Sequence, residues 1–515
     1  MRIGVDVGGT NTDAVLMDGN SVLGSVKQST TEDVSSGIRA ALTNLAEATP
    51  FDAGAIRSVM IGTTHFINSL VQGRGLAPTA CLRLGLPATS ALPPMVDWPA
   101  SLREAISGAS YLVSGGHEFD GRTIAELDPD EIRRACDDML ARGVRSLAIS
   151  AVFSPVSPEF EVRAAEIARD VLGPDFPISL SHEIGRVGLL ERENATIVNA
   201  ALRELADGVI SGLDGAVRSR GIDAPLYLSQ NDGTLMDLEY ARQYPAATFA
   251  SGPTNSMRGA AVLSGLSDCA VVDVGGTTSD IGVIVNGFPR VATTEVEVSG
   301  VRTNFRMPDV LSLGIGGGSQ ILDGGETVGP LSVGYRLPEK ALVFGGDVLT
   351  ATDIAVAAGR AEVGDPALVA HLDPELVRTA LETISTRVAR AVDRMRTSSA
   401  PLPVVAVGGG SILLPDDLPD LGAVLRPENH SVANAIGAAI AQVSGEVDRV
   451  FSIQGDRASV VDGAKQEAFD RAVDSGALVE SISIVEVDEV PIPYLPGNNV
   501  RIRVKAVGDL AVVTA

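Results

Sequence analysis

The chain reads as an α/β protein of two similar halves followed by a small α+β unit, and three observations lead there. The segment Asp6-Val7-Gly8-Gly9-Thr10-Asn11-Thr12-Asp13 returns as Asp273-Val274-Gly275-Gly276-Thr277-Thr278-Ser279-Asp280, with six of eight positions identical. Each copy lies between two short β-rich runs (3–5 and 14–17; 270–272 and 281–285), so each reads as strand, Gly-rich hairpin turn, strand. Alternating strand and helix patterns follow both copies. A repeat this long is not a solenoid period; it marks two similar halves, and a cleft between them is a natural ligand site.

In the first half, 58–62 reads as a strand running into the loop Thr63-Thr64-His65. Residues 132–142 form a helix, 146–153 a buried strand, and Pro155 and Pro158 punctuate the start of a further helix near Glu159. The stretch 188–213 is a long amphipathic helix, expected to bridge into the second half. There, 374–396 is a helix, 404–407 a strand ending on Gly408-Gly409-Gly410, and the Ala-rich 434–443 a packed helix. Beyond 445 the pattern changes to a helix at 465–472 and strands at 481–487 and 500–507. The expected divisions are therefore 1–187, 188–444 and 445–515.

With 515 residues and 45% hydrophobic content, each half can bury its own core. Sixty-five acidic against 40 basic residues give a net charge of −25, which repels a phosphate backbone and argues against nucleic-acid binding. Cys81, Cys136 and Cys269 are widely spaced, and they support neither a disulfide framework nor a cysteine zinc site. No apolar run approaches the ~20 residues that span a bilayer. Residues 1–6 read as a core strand rather than a signal peptide, so the expected setting is the reducing cytoplasm.

An Asp-x-Gly-Gly-Thr turn can wrap a polyphosphate, because glycines let the backbone approach closely and turn its N–H groups inward. The candidate contacts are Gly8, Gly9, Thr10, Asn11, Thr12 and Asp13 in the first turn, and Gly275, Gly276, Thr277 and Thr278 in the second. Asp6 and Asp273, at the strand ends, are the candidate catalytic carboxylates and ligands of Mg²⁺, directly or through water. A single such turn is equally well a plain hairpin; the matched pair favours a site. Gly408, Gly409 and Gly410 end a hydrophobic strand and permit close approach of a nucleotide. Gly316 and Gly317, in the loop 313–319, either touch phosphate or make a tight turn. Asp353 is either a site residue or a helix cap, and His65 and His182 either line a pocket or are hydrogen-bonded loop histidines.

The order of these elements, two phosphate turns, then strand-Gly-Gly-Gly, then an Ala/Gly-rich helix with Asn434 and Gly437, resembles the actin, sugar kinase and heat-shock chaperone ATPase superfamily. Together with Gly62-Thr63-Thr64-His65, Ser181-His182-Glu183-Ile184, Ala250-Ser251-Gly252-Pro253, 314–319, 347–353 and Gly497-Asn498, they resemble the A-type subunit of the hydantoinase and oxoprolinase family over nearly the whole chain. The resemblance implies two actin-like (ribonuclease H-like) α/β domains around an interdomain nucleotide cleft, with ATP and Mg²⁺ as cofactors. It implies ATP-dependent opening of a small cyclic amide, a hydantoin or 5-oxoproline, by phosphorylation of the lactam oxygen. It also implies a separate B-type subunit, for which this chain has no room, and is compatible with a homo-oligomer.

The family's Pro-Gly-Pro with nearby Cys and Tyr is here Gly329-Pro330-Leu331-Ser332-Val333-Gly334-Tyr335, so the substrate pocket is expected to differ. The segment 229–234 stands where the superfamily orients its nucleophile, which makes Asp232 the candidate general base, although an Asn-Asp-Gly turn needs no catalytic reason. Two other readings stay open: a small-molecule kinase releasing a stable phosphoproduct, favoured by Asn231-Asp232, and a regulatory or assembly ATPase that turns over no small substrate.

Overall fold

The computed structural model describes every residue except 10, 31–33, 293–295, 441, 454–455, 493–498 and 512–515. Thr10 and the Gly497-Asn498 pair therefore lie outside the described residues.

Strands β1 (Arg2–Val7), β2 (Asn11–Asp18) and β3 (Ser21–Ser29) form an antiparallel meander, and β4 (Val59–Thr63) joins β1 in parallel. All of β4 is buried, as befits a parallel strand covered on both faces. Four parallel strands, Thr79–Leu86, Ala109–Ser114, Ser146–Ala151 and Ile178–Leu180, make a separate sheet with its own core around Leu82, Leu147 and Ile149. The helix α1 (Leu189–Arg218) then sends Ala195, Val198, Leu202 and Leu213 into the core of the first sheet. Two short strands follow, β5 (Leu226–Ser229), parallel to β4, and β6 (Leu235–Asp237).

Helix α2 (Ser251–Ser264) leads into the second copy of the repeat, where β7 (Cys269–Val274) and β8 (Ser279–Val285) reproduce the first register. Asp273 lies opposite Asp280 as Asp6 lies opposite Asp13. The parallel neighbour is reproduced too, since β9 (Val404–Val407) flanks β7 as β4 flanks β1. Each half thus has an α/β core opening on the same hairpin.

After the short helix α3 (Ala433–Ala438), β10 (Gln442–Ser452), β11 (Ser483–Pro491) and β12 (Asn499–Asp509) extend the first sheet, whose order is β11-β12-β10-β6-β5-β4-β1-β2-β3. Pairing in this sheet therefore runs across residues 188 and 445, where sequence character had suggested divisions. The helix expected over 434–443 stops at Ala438, and Val443, Gly445 and Val447 alternate into the core with the two-residue period of a strand. Backbone contact fixes α3 in place: a Cβ at Gly437 would stand 1.8 Å from the Asn255 carbonyl oxygen, and one at Gly259 would stand 2.0 Å from that of Ala433. Among the described residues no helix is long and apolar enough to cross a membrane.

Candidate active site

The two Gly-rich turns have the same internal hydrogen bond, Gly8 N–H to the Asn11 carbonyl at 3.0 Å and Gly275 N–H to that of Thr278 at 2.9 Å. Gly9 is exposed, with open space where a side chain would be. Thr278 is exposed and Asn11, Gly276 and Thr277 are partly so. Thr12 differs: it is fully buried, and its hydroxyl is engaged with that of Thr30 at 3.2 Å, so it holds the turn from behind.

Asp6 is 4% exposed at the end of β1. Asn255 on α2 and Asn434 on α3 each donate to one of its carboxylate oxygens at 3.4 Å. Burial, with the Asp13 charge adding to it, pushes its carboxyl up to about 7. Asp13 pairs with Lys27 at 2.7 Å through one oxygen, while its other oxygen is buried without a hydrogen-bond partner. Asp273 accepts a 2.5 Å bond from the Ser256 hydroxyl, but burial outweighs that bond and pushes its carboxyl up to about 6. Asp6 and Asp273 lie within electrostatic reach of each other. Asn255 and Ser256, consecutive on α2, bond Asp6 and Asp273 respectively, so the carboxylates at the bases of the two turns, one from each half, face one helix, and Lys27 pairs with the neighbouring Asp13.

The triple glycine sits against the second turn. Gly408 has φ +82°, and a Cβ there would stand 2.3 Å from an Asp273 carboxylate oxygen; one at Gly410 would stand 2.7 Å from the Gly275 carbonyl oxygen. Gly409 is exposed with open space above it. Gly316 and Gly317 are buried, and their N–H groups bond the Ser319 hydroxyl and the Gly275 carbonyl at 2.9 and 3.0 Å. This loop braces the second turn from behind, its amides bonded as in the tight-turn reading of Gly316 and Gly317. Asp353 is a cap: its oxygens accept from the N–H groups of Val343 and Thr350, both at 2.7 Å.

Asp232 sits in an ion pair. Burial alone would raise its carboxyl, but the Lys505 ammonium at 2.7 Å and the Thr234 hydroxyl outweigh it and hold Asp232 well below the usual carboxylate range. A carboxylate so stabilised is a poor proton acceptor, so a general-base role does not fit this geometry. Lys505→Met is expected to destabilise the fold by about 2–3 kcal/mol at pH 7, less than for a fully buried pair because Asp232 keeps its Thr234 bonds. Because Asp232 is depressed in the folded state, the pair's stability is present above the unfolded value near 4 and lost as pH falls through the folded one. Urea melts of both proteins should therefore converge in acid.

Asn255, Ser256, Lys27 and Lys505 were not singled out by sequence reasoning. A signal was present for the first two: Thr254-Asn255-Ser256 puts three consecutive polar residues into a helix otherwise rich in small residues. Close packing around Asp6 gives a further test. A Cβ at Gly62 would stand 2.3 Å from Asn255 Nδ2 and 2.4 Å from Asp6 Oδ1. Gly62→Ala is expected to cost about 1–3 kcal/mol by displacing that carboxylate, read by thermal melting. A groove of about 700 Å³ near Arg2, Arg57 and Arg258 lies at the opposite end of β1 from the glycine turn and takes no part in this cluster.

Two α/β halves, each presenting an Asp-ended strand and glycine turn, define an actin-like nucleotide-binding architecture. The chain belongs to the hydantoinase/oxoprolinase family: the family's N-terminal-region model matches residues 2–172 and its hydantoinase/oxoprolinase model residues 192–395. The caprolactamase alpha subunit of Pseudomonas jessenii is 30% identical, over 70% of this chain and 54% of its own length. The acetophenone carboxylase gamma subunit of Aromatoleum aromaticum is 26% identical over 69% and 53%. The chain thus spans about half the length of these two relatives. An uncharacterized protein of Methanocaldococcus jannaschii is 24% identical over 99% of this chain and 82% of its own. In structure, the ATP-dependent caprolactamase of Pseudomonas jessenii superposes with a TM-score of 0.80, at 20% identity, over 98% of this chain and 87% of the other. Nucleotide-free acetone carboxylase gives 0.69, 17%, 99% and 88%.

Proposed function

We propose that this chain is an ATP-dependent enzyme subunit that activates a small cyclic amide by phosphorylating its oxygen, with a partner subunit completing ring opening. The observation that carries the reading is the pair of equivalent glycine turns brought together from the two halves, with Asp6 and Asp273 at their bases. Gly8 to Asn11, Gly275 to Thr278 and Gly408 to Gly410 are the proposed nucleotide-holding segments, with Gly9 and Gly409 leaving the closest approach open. The relatives named as caprolactamase and carboxylase subunits support the partner, and the similar structures described as ATP-dependent support the ATP chemistry.

The residues fit a divalent cation. Asp6 and Asp273 are both raised by burial, and an Asp13 oxygen is buried without a partner, so the cluster carries more negative charge than its neighbours offset. Among the described residues no group of three or more His, Cys, Asp or Glu side chains is placed to hold a metal. Mg²⁺ keeps several waters and takes few protein ligands, and Asp6 and Asp273 are the proposed ones. When bound, Mg²⁺ neutralises phosphate charge. The protein's own share is to hold the nucleotide, fix both carboxylates through Asn255, Asn434 and Ser256, and position the substrate.

The test is ADP release by the purified chain with Mg·ATP, with and without hydantoin, 5-oxoproline and larger lactams. Stimulation by one of them is the expected result. A flat response, with and without a B-type partner, would shift the assignment to a regulatory ATPase. The kinase alternative loses its best argument with Asp232 held in an ion pair.

A further inference from the structure

We propose that the groove against Arg2, Arg57 and Arg258, at the far end of the two repeated hairpins from the glycine turns, binds a small organic carboxylate with an apolar body. It holds about 700 Å³, within the range of small-molecule pockets and far more than a bare ion fills.

Its position follows from the repeat. At the end away from the glycine turns, β2 passes into β3 through the two-residue turn Gly19-Asn20, and β8 passes into Phe288-Pro289 through the two-residue turn Asn286-Gly287. Both of these turns line the groove, as do Arg258 and Val262 on α2. Each turn holds one arginine by its glycine carbonyl: Arg2 Nη2 donates to that of Gly19 at 2.8 Å, and Arg258 Nη1 to that of Gly287. Arg258 Nη2 meets the side-chain oxygen of Gln442, the first residue of β10. Arg258 therefore ties the hairpin of the second half to the first sheet, and the groove lies where the two halves meet.

The groups left over define the ligand. In both Arg2 and Arg258 the Nε is buried without an acceptor. Arg258 is 5% exposed and lies over the Phe288 ring, 4.1 Å from its centre. Burial pushes it down to about 10, so it stays charged at neutral pH. Among the described residues none of Arg2, Arg57 and Arg258 is in an ion pair. The acidic side chains of the groove are Asp18 and Asp509; both are exposed, both act on Arg2 through space, and Asp509 accepts from Gln442 Nε2 at 3.1 Å. Three guanidinium groups thus face two carboxylates, and the excess is positive in a chain whose net charge is −25. A single oxyanion group answers that excess and offers strong acceptors to the buried N–H donors. Val262, Leu266, Phe288 and Ile440 are half-buried along the same groove, a wall that a bare phosphate would leave uncovered and an apolar body would cover.

The experiment is calorimetric titration of the intact chain with cyclohexanecarboxylate, its neutral amide and inorganic phosphate, each with and without Mg²⁺ and a non-hydrolysable ATP analogue. The carboxylate is expected to bind at least about tenfold tighter than the amide or phosphate, the scale of one hydrogen bond to a charged group. Its affinity should stay within about twofold when the analogue is present, because the glycine turns lie at the other end of the hairpins. Arg258→Lys, which keeps the charge and removes Nε, and Arg57→Gln are each expected to weaken the carboxylate about fivefold or more. If Arg258→Lys fails to fold, Arg2→Gln tests the matching donor at the other turn. The proposal is overturned if the carboxylate does not bind the native chain, if the amide or phosphate binds as tightly, or if folded variants keep native affinity. Displacement by the analogue would place the anion at the glycine turns and overturn it too. A chain that binds the carboxylate but no nucleotide would support the groove and overturn the ATP reading.

Discussion

Asp6→Asn and Asp273→Asn are each expected to lower Mg·ATP turnover by about 10²–10³-fold or more while leaving the chain folded, the loss typical of removing one preorganised electrostatic contact. Asparagine keeps the shape of the side chain and removes the charge proposed to hold the cation, so the readout isolates that charge. The same variants make an opposite prediction for stability. Burial and the neighbouring Asp13 raise Asp6 to about 7 in the metal-free fold. A carboxyl raised on folding binds its proton more tightly in the native state, so native stability falls as pH rises from about 4 towards 7, by at most about 1.4 kcal/mol per unit. Asp6→Asn lacks this penalty and should melt at a higher temperature than the native chain at pH 8, with the gap closing below pH 4. Calorimetric melting at the two pH values, beside ADP release at pH 8, checks both. A variant that hydrolyses ATP at the native rate would remove Asp6 from the site; one that melts lower would show the aspartate to be structural. A group kept against the stability of the free fold is the pattern expected of function.

The hairpins and their symmetry were legible in the sequence because they are local: strand, glycines and strand follow one another, and the repeat announces itself. The strand leading to Gly408-Gly409-Gly410 was legible for the same reason, as was the alternation of strands and helices in both halves. What escaped was long-range. That β10 to β12 extend the sheet begun by β1 depends on Leu235 pairing with Val443, 208 residues further on, which no window of sequence carries. The role of Gly316 and Gly317 depends on which carbonyls their amides meet, and glycine content alone does not distinguish a phosphate cradle from the brace behind one. Asp232 reads as a turn aspartate or a base until Lys505, 273 positions away, is seen beside it. The polar run Arg192-Glu193-Asn194 looks like the solvated face of an amphipathic helix, yet all three residues are buried.

That run sets up the largest expected loss of stability. Three consecutive residues on an α-helix point about 100° apart, so Arg192, Glu193 and Asn194 reach three different parts of the structure. Arg192 donates to the Ser181 hydroxyl at 2.9 Å and the Ala151 carbonyl at 2.7 Å, Asn194 accepts from Trp98 Nε1 at 2.8 Å, and Glu193 meets Arg83. Both Arg83 and Glu193 are 0% exposed; Arg83 Nε donates to one Glu193 oxygen at 2.7 Å, its second nitrogen meets the other, and the Ser150 hydroxyl adds a further bond. The pair joins the four-stranded sheet to α1, which lies in the core of the first sheet. Glu193→Ala strands a guanidinium in the interior with the Leu92 carbonyl as its remaining partner, and is expected to cost about 3–5 kcal/mol in urea unfolding at pH 7. The paired change Arg83→Met with Glu193→Leu removes both charges and should recover most of that loss, since a buried ion pair contributes little net stability over apolar residues of similar volume. If Glu193→Ala lies within about 1 kcal/mol of native, the guanidinium has found water and the pair is no clamp. If the double variant is as weak as the single, the pair's worth lies in its geometry.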